Sequence, residues 1–260
     1  MNLISKLFQT QVFLLKSAYQ REGFWYVVRK GVAYVARWPF DVLTSFYYRY
    51  LNRHKSMFKF QGQTYSYFYH SYNTTWKNER GIEVPIIWRL VQENSEKRIL
   101  EIGNVLRHYV SCQHDVLDLT EKYPGVINQD IGYFKPQAKY DLAVSISTFE
   151  HIGCWEKEPR QPERLLQAIQ NILENILSPG GRLVITVPLG QNPDMERYLA
   201  TGKINFTQLI CMKQVNSRKN EWKEFSWSDI CDREFSAQGE WCGKNKSFLI
   251  GIMQKPQVTD

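Results

Sequence analysis

The sequence predicts an open, largely parallel α/β sheet preceded by a basic helical extension. Three observations carry this reading. The run Ile99, Leu100, Ile102, interrupted by Glu101 and stopped by Gly103, is short and apolar, as a strand buried on both faces requires. A second and stronger run, Tyr140 to Ser147, follows it. The clearest helical repeat, 162–177, then separates that run from a third, Arg182 to Pro188, so strands and helices alternate.

At 260 residues the chain has room for one large domain and an extension, which we divide at residues 1–55 and 56–260. Its 43% hydrophobic and 23% charged residues describe a folded globular chain rather than a disordered one. The net charge of +7 is uneven. Residues 1–60 hold ten Lys/Arg against Glu22 and Asp41, a balance of +8, while 61–260 balance at −1. The basic character therefore belongs to the extension, and no nucleic-acid groove is expected in the domain. Cys112, Cys154, Cys211, Cys231 and Cys242 are scattered and form no Cys-x-x-Cys pair. Neither a disulfide framework nor a zinc site is indicated, and a reducing cytoplasm is the simple inference.

Residues 2–20 read as an amphipathic helix with Leu3, Leu7, Leu14 and Ala18 near one face. Residues 24–37 and 41–51 are apolar and aromatic, but Arg29, Lys30 and Arg37 interrupt them and Pro39 divides them. No uncharged run approaches the roughly 20 residues that a membrane span needs. Two readings stand: a helix lying on an anionic membrane surface, or an extension packed on the domain or on a second subunit.

Met57–Phe60 and Tyr65–Tyr69, split by Gly62, read as a hairpin or two edge strands. The stretch from Tyr72 to Arg80 is dense in polar and aromatic groups at once. It suits either a wall over a binding site or a helix cap held by Asn and Thr side chains. A helix with Pro85 in its early turns should follow and carry Val84, Ile86, Ile87, Leu90 and Val91 inward.

In the run that starts at Ile99, Gly103 allows a tight turn and a close approach of backbone to a ligand. Glu101 is a carboxylate in an apolar strand, costly to bury unless hydrogen-bond donors meet it. Together they mark the carboxyl edge of a parallel sheet as a small-molecule site. Asp115 to Leu119 is a second strand, and its Asp118 lies 17 residues past Glu101. That is close to the roughly 20-residue spacing at which a dinucleotide-type unit places an acid on ribose hydroxyls. Asp115 competes for the role. Val126 to Ile131 supplies a third strand, and Asp130 either contacts a ligand or starts a turn before Gly132. Pro162 suits the first turn of the 162–177 helix, and Pro179-Gly180-Gly181 should end it before the strand from Arg182. Gln191 to Gly202 reads as a loop and short helix, Phe206–Val215 and Phe248–Met253 as the final strands, and Lys255 to Asp260 as a free tail. The polar stretch 216–245, with Trp222, Phe225, Trp227 and Trp241, either lines a pocket or packs outside the sheet.

Taken together, Arg98-Ile-Leu-Glu-Ile-Gly-Asn104, Asp118, Asp130, the Asp141-Leu142 strand with Glu150-His151, and Ser178-Pro-Gly-Gly181 resemble the class I S-adenosylmethionine-dependent methyltransferases in type and order. The likeness covers about Arg98 to Met253. Val105 and Arg107 stand where that family usually has its second and third glycines. The resemblance implies a Rossmann-like sheet, mostly parallel with an antiparallel last strand, and S-adenosyl-L-methionine as cofactor. It implies that Glu101, Gly103, Asn104, Asp118, Asp130, Ile131 and Ser147 hold that cofactor, Asp130 at the adenine amino group and Ile131 through its backbone amide. Ser147 occupies the place of the third acid in the metal site of some quinone-pathway O-methyltransferases, so no metal is expected. A NAD-dependent dehydrogenase would need a full Gly-x-Gly-x-x-Gly, of which only Gly103 is present.

His151 can serve as a general base because its ordinary pKa lies near working pH, with Glu150 beside it; it can equally brace the turn. His70 and Tyr72 are further candidates to face the acceptor, and Arg107 to meet the cofactor carboxylate or a negatively charged acceptor. The expected activity is methyl transfer, most simply to oxygen, on a small-molecule, lipid or glycan-type acceptor. A non-catalytic binding or scaffold protein that keeps the fold is the alternative. The expected location is cytoplasmic, with the extension offering contact to a membrane surface.

Overall fold

The computed structural model describes residues 57–70, 72–154, 160–217, 219–234 and 246–257, with scattered positions between 25 and 51. The chain forms two compact units, Met1–Leu51 and Asn52–Asp260. In the first unit the described positions are helical. The helix expected over 2–20 lies outside the described residues, as do most of 24–51 and Trp241.

The second unit opens with a hairpin of β1 (Met57–Phe60) and β2 (Gln63–Ser66). Gln61 and Gly62 both have positive φ, the conformation of a two-residue hairpin turn whose twist matches the strands. A short 3-10 segment, Tyr72–Lys77, leads to α1 (Arg80–Glu93), which buries Ile82, Val84, Ile86, Ile87 and Val91. Pro85 lies inside α1 and lacks the amide that would bond Gly81. That carbonyl accepts instead from Phe68 N at 2.8 Å, which ties the hairpin's exit strand to the helix.

The main sheet contains β3 (Ile99–Ile102), β4 (Asp115–Leu117), β5 (Val126–Ile127), β6 (Tyr140–Ile146), β7 (Leu177–Pro188), β8 (Gln208–Asn216), β9 (Glu221–Ser226) and β10 (Ser247–Gln254). Their order across the sheet is β5-β4-β3-β6-β7-β10-β8-β9. The first five are mutually parallel, and β10 runs antiparallel to both β7 and β8. This is the Rossmann-like α/β sheet with a reversed strand that the sequence implies. Strand order reverses between β3 and β6, which opens a crevice outside their carboxyl ends.

Both faces are covered, which is why the central strands read as largely apolar runs. Leu142, Val144 and Ile146 of β6 pack with Ile82 and Ile87 of α1 and with Phe58 and Phe60 of β1. Ala143 points to the other face, where Leu165 and Ile169 of α2 (Glu163–Asn171) and Tyr198 and Leu199 of α3 (Pro193–Ala200) lie. Ile230, in α4 (Trp227–Glu234), joins the same side.

Two expectations are corrected and one open alternative is decided. The helix after Pro162 passes at Asn171 into a π turn, Ile172–Ile176, and β7 starts at once with Leu177, so Pro179-Gly180-Gly181 lies inside the strand as a bulge. The cause is the chain's end: Gly180 N donates to Lys255 O and Lys255 N to Gly181 O. Lys255 Nζ also donates to the Glu174 and Leu177 carbonyls, so 255–257 is no free tail. Finally, β9 is an unforeseen edge strand. Its Trp222 packs on Phe248 of β10, so this part of the polar stretch covers the sheet rather than lining a pocket.

Candidate functional site

A cavity of about 810 Å³ occupies the crevice at the carboxyl edge of β3, β4 and β6. Its floor is the turn after β3. Gly103 has φ +86°, and a Cβ there would meet Thr148 Oγ1 at 2.2 Å. Glycine is thus required by neighbouring protein as well as by backbone conformation. Beside it Asn104 lines the cavity but is only 4% exposed, and its Oδ1 is buried without a partner. A buried acceptor left unsatisfied in this way is unusual, and a small rotation of the amide would turn it toward the cavity.

Asp118 stands at the end of β4 on the same wall. Its Oδ1 accepts from Thr120 N at 2.9 Å and Glu121 N at 2.7 Å, and its Oδ2 from Asn104 N at 3.0 Å. The carboxylate is therefore fixed in direction and joins the two loops, with lone-pair capacity left on Oδ2. Asp130 and Ile131, past β5, complete this side. Asp130 accepts from Gly132 N at 2.9 Å and pairs with Arg164 of α2. The Ile131 carbonyl accepts from Asn171, and its amide makes no described hydrogen bond. Asp115, the competitor of Asp118, is excluded by position: it accepts from Tyr140 Oη at 2.8 Å at the opposite, amino-terminal end of β4.

The facing wall comes from the segment before α1 and the turn after β6. Tyr72 stacks on His108 with centroids 4.7 Å apart, and Tyr109 closes against both Tyr72 and His70. Thr75 Oγ1 donates to Phe68 O and accepts from His70 N, so this segment is cap and wall at once. Arg80 reaches the cavity from the first turn of α1 and donates to Glu83 at 3.3 Å. His151, half exposed, lines the cavity; burial and the nearby Arg80 charge lower its pKa, which favours the neutral ring at neutral pH. Glu150 lies behind it, 3% exposed, with one oxygen 3.8 Å from His151 Nε2 and the other buried without a partner. Burial, with the charge of Glu83 adding to it, pushes the Glu150 carboxyl up to about 8.

Gly103, Asn104, Asp118, Asp130, Ile131, Tyr72 and His151 are thus brought together, whereas Glu101, Ser147, Glu150, His70 and Arg107 do not line the cavity. Glu101 is wholly buried beneath the loop. Its Oε1 accepts from Val105 N and Leu106 N, at 2.9 and 2.7 Å, and its Oε2 meets His114 Nε2 at 2.9 Å. It braces the turn that lacks the usual glycines and does not reach a ligand. Donor atoms of Glu101, Cys112 and His114 lie within 4.8 Å of one another, but the carboxylate is already satisfied and burial pushes the Cys112 thiol up to about 12. Ser147 has φ +40° and donates to Glu83 at 2.7 Å, so its hydroxyl is spent on α1. His70 accepts from Tyr72 N and supports the wall from behind. Arg107 turns outward and donates to the Pro124 and Gly125 carbonyls.

The reading from sequence missed Arg80, Thr148 and Arg164. Only Arg80 had a signal, as the cation closing the polar and aromatic stretch that starts at Tyr72.

No family model and no curated protein matches the sequence. Among solved structures, the fold is similar to the N-methyltransferase NodS from Bradyrhizobium japonicum WM9 in complex with S-adenosyl-L-homocysteine, at 14% identity over 69% of this chain and 94% of that chain, TM-score 0.37. It is similar also to TehB from Haemophilus influenzae, at 16% identity over 65% of this chain and 61% of that one, TM-score 0.37. A third is an S-adenosylmethionine-dependent methyltransferase from Clostridium acetobutylicum ATCC 824, at 12% identity over 64% and 88%, TM-score 0.31. These are likenesses of chain path, and the chemistry below is read from this chain's own residues.

Proposed function

We propose that the cavity binds S-adenosyl-L-methionine and that residues 56–260 form a domain that transfers its methyl group to a small-molecule, lipid or glycan-type acceptor, most simply at a hydroxyl. The observation that carries this reading is the convergence of a fixed carboxylate, Asp118, an asparagine with an unpartnered amide oxygen, Asn104, and a cation, Arg80, around one cavity. An adenosyl sulfonium with an amino-acid end needs all three. Asp118 would take the ribose hydroxyls, since two vicinal hydroxyls can donate to one carboxylate. Asn104 Oδ1 would accept from the α-ammonium, and Arg80, in place of Arg107, would donate to the α-carboxylate. Asp130 and the Ile131 amide would serve the adenine edge, with the Asp130–Arg164 pair limiting how freely the carboxylate can do so. The cavity's volume leaves room for a compact acceptor beside such a ligand.

When bound, the cofactor supplies a methyl group on a positively charged sulfur, open to displacement by an aligned lone pair. The protein's share is alignment and proton removal. His151, neutral at neutral pH, would accept the acceptor's hydroxyl proton, and Glu150, largely protonated there, would pack behind the ring and hold its position. The aromatic wall of Tyr72, His108 and Tyr109 would hold the acceptor and limit the water that reaches it.

Incubation with methyl-labelled S-adenosylmethionine and fractionated small-molecule, lipid and glycan extracts tests the reading. Label should enter one acceptor class with wild type. His151→Ala should lower the turnover number by roughly 10²–10⁴-fold with little change in cofactor affinity. The wild-type rate should rise with pH to a plateau reached below the ordinary histidine range, because the ring's pKa is lowered. No incorporation into any fraction would leave the transfer reading without support.

A further inference from the structure

Isolated exposed apolar side chains are ordinary on a protein surface, but a continuous row of them is not. In the first unit the aliphatic positions Val28, Val32, Leu43 and Leu51 are exposed, as are the aromatic Trp25, Phe40, Phe46 and Tyr47. Val32 is 65%, Phe40 72%, Leu43 68% and Leu51 67% exposed. With Ala36, also helical and exposed, they recur at intervals of three, four or eight residues. At 3.6 residues per turn the α-helical positions Val28, Val32, Ala36, Phe40 and Leu43 would share one face, and Leu51 stands in a π-helical position. Thr44 Oγ1 donates to Phe40 O at 2.5 Å, the local bond expected in a helix. No helix among the described residues is long and apolar enough to cross a membrane.

The charge around this row selects its occupant. Residues 1–60 carry a balance of +8, and Arg29, exposed, neighbours Val28 and Val32. Like charge of this density disfavours a second copy of the same segment, whereas an anionic surface gains from it. We propose that the stripe through Val28, Val32, Phe40, Leu43 and Leu51 lies in the interface of an anionic lipid bilayer, its apolar side chains among the acyl chains and its Lys and Arg residues at the headgroups. Burial of the apolar row supplies the affinity and the basic residues the preference for anionic lipid. This surface stands apart from the methyl-transfer reading, and either can fail without the other.

Flotation of the full-length chain with vesicles tests it. Vesicles of phosphatidylcholine containing phosphatidylglycerol should carry the protein upward, those of phosphatidylcholine alone far less, and added salt should weaken recovery. The double variant Val32→Glu/Leu43→Glu changes only exposed positions and should keep the wild-type circular dichroism, while binding falls by roughly tenfold or more. Phe40→Ser should fall in between. Absence of flotation with anionic vesicles overturns the proposal, as does recovery unchanged in the double variant. A wild-type dimer in solution that becomes monomeric in the double variant, with no lipid binding, would assign the stripe to a second copy instead.

Discussion

Gly103→Ala should destabilise the domain by roughly 2–5 kcal/mol, through two separable causes. A non-glycine residue at φ +86° costs about 1–2 kcal/mol. The new methyl also enters space held by Thr148, whose Oγ1, Cγ2 and Cβ lie 2.2, 2.9 and 3.0 Å from where that carbon would sit, an overpacking of about 1–3 kcal/mol. Thr148→Ala removes the two nearer atoms. The double variant should therefore recover most of the overpacking cost and retain the backbone cost. Urea unfolding of wild type, both single variants and the double variant measures this coupling. Additive effects of the two substitutions would mean that Gly103 and Thr148 do not pack together as described.

Glu150→Gln should change how stability depends on pH. In the folded protein burial raises the Glu150 carboxyl from 4.5 to about 8. Between those values the folded state holds a proton that the unfolded state releases. Its stabilising contribution is complete below 4.5 and is lost as pH rises through about 8. For a side chain this buried, a shift of this size corresponds to a loss on the order of 5 kcal/mol. Glutamine keeps the shape and cannot ionise, so the variant should match or exceed wild-type stability at pH 9 and gain nothing at pH 4.5. Glu196, raised to about 7 by burial, contributes a smaller slope of the same sign in both proteins. Unfolding midpoints measured from pH 4.5 to 9 distinguish the cases, and parallel curves for wild type and variant would show that Glu150 is ionised in the fold.

The architecture was readable because burial on both faces leaves little freedom of composition. β3, β6 and α2 each carry the period or the largely apolar run that their surroundings demand. β9 escaped notice because an edge strand needs to bury only part of one face, and Glu221 to Ser226 is accordingly mostly polar. Within the site, strand ends marked the right neighbourhood but not the direction of each side chain. Glu101 lies two residues before Gly103, and its carboxylate sits beneath the loop and accepts hydrogen bonds from that loop's amides. Ser147 turns toward α1 because its backbone is left-handed, a conformation that serine rarely adopts and that its sequence does not announce. Arg80 and Arg164 reach the site from helices distant in sequence, 34 residues away from Asp130 in the case of Arg164. Such placements follow from tertiary packing.

Calorimetric titration of the full-length protein with S-adenosyl-L-homocysteine, alongside Asp118→Ala and Arg80→Met, reaches the central claim most directly. One molecule per chain should bind in the micromolar range, and each substitution should weaken binding by about 1.5–3 kcal/mol, the usual worth of a hydrogen bond to a charged group. No heat with wild type at millimolar ligand, or affinity unchanged in both variants, would contradict the assignment of this cavity to an adenosyl sulfonium.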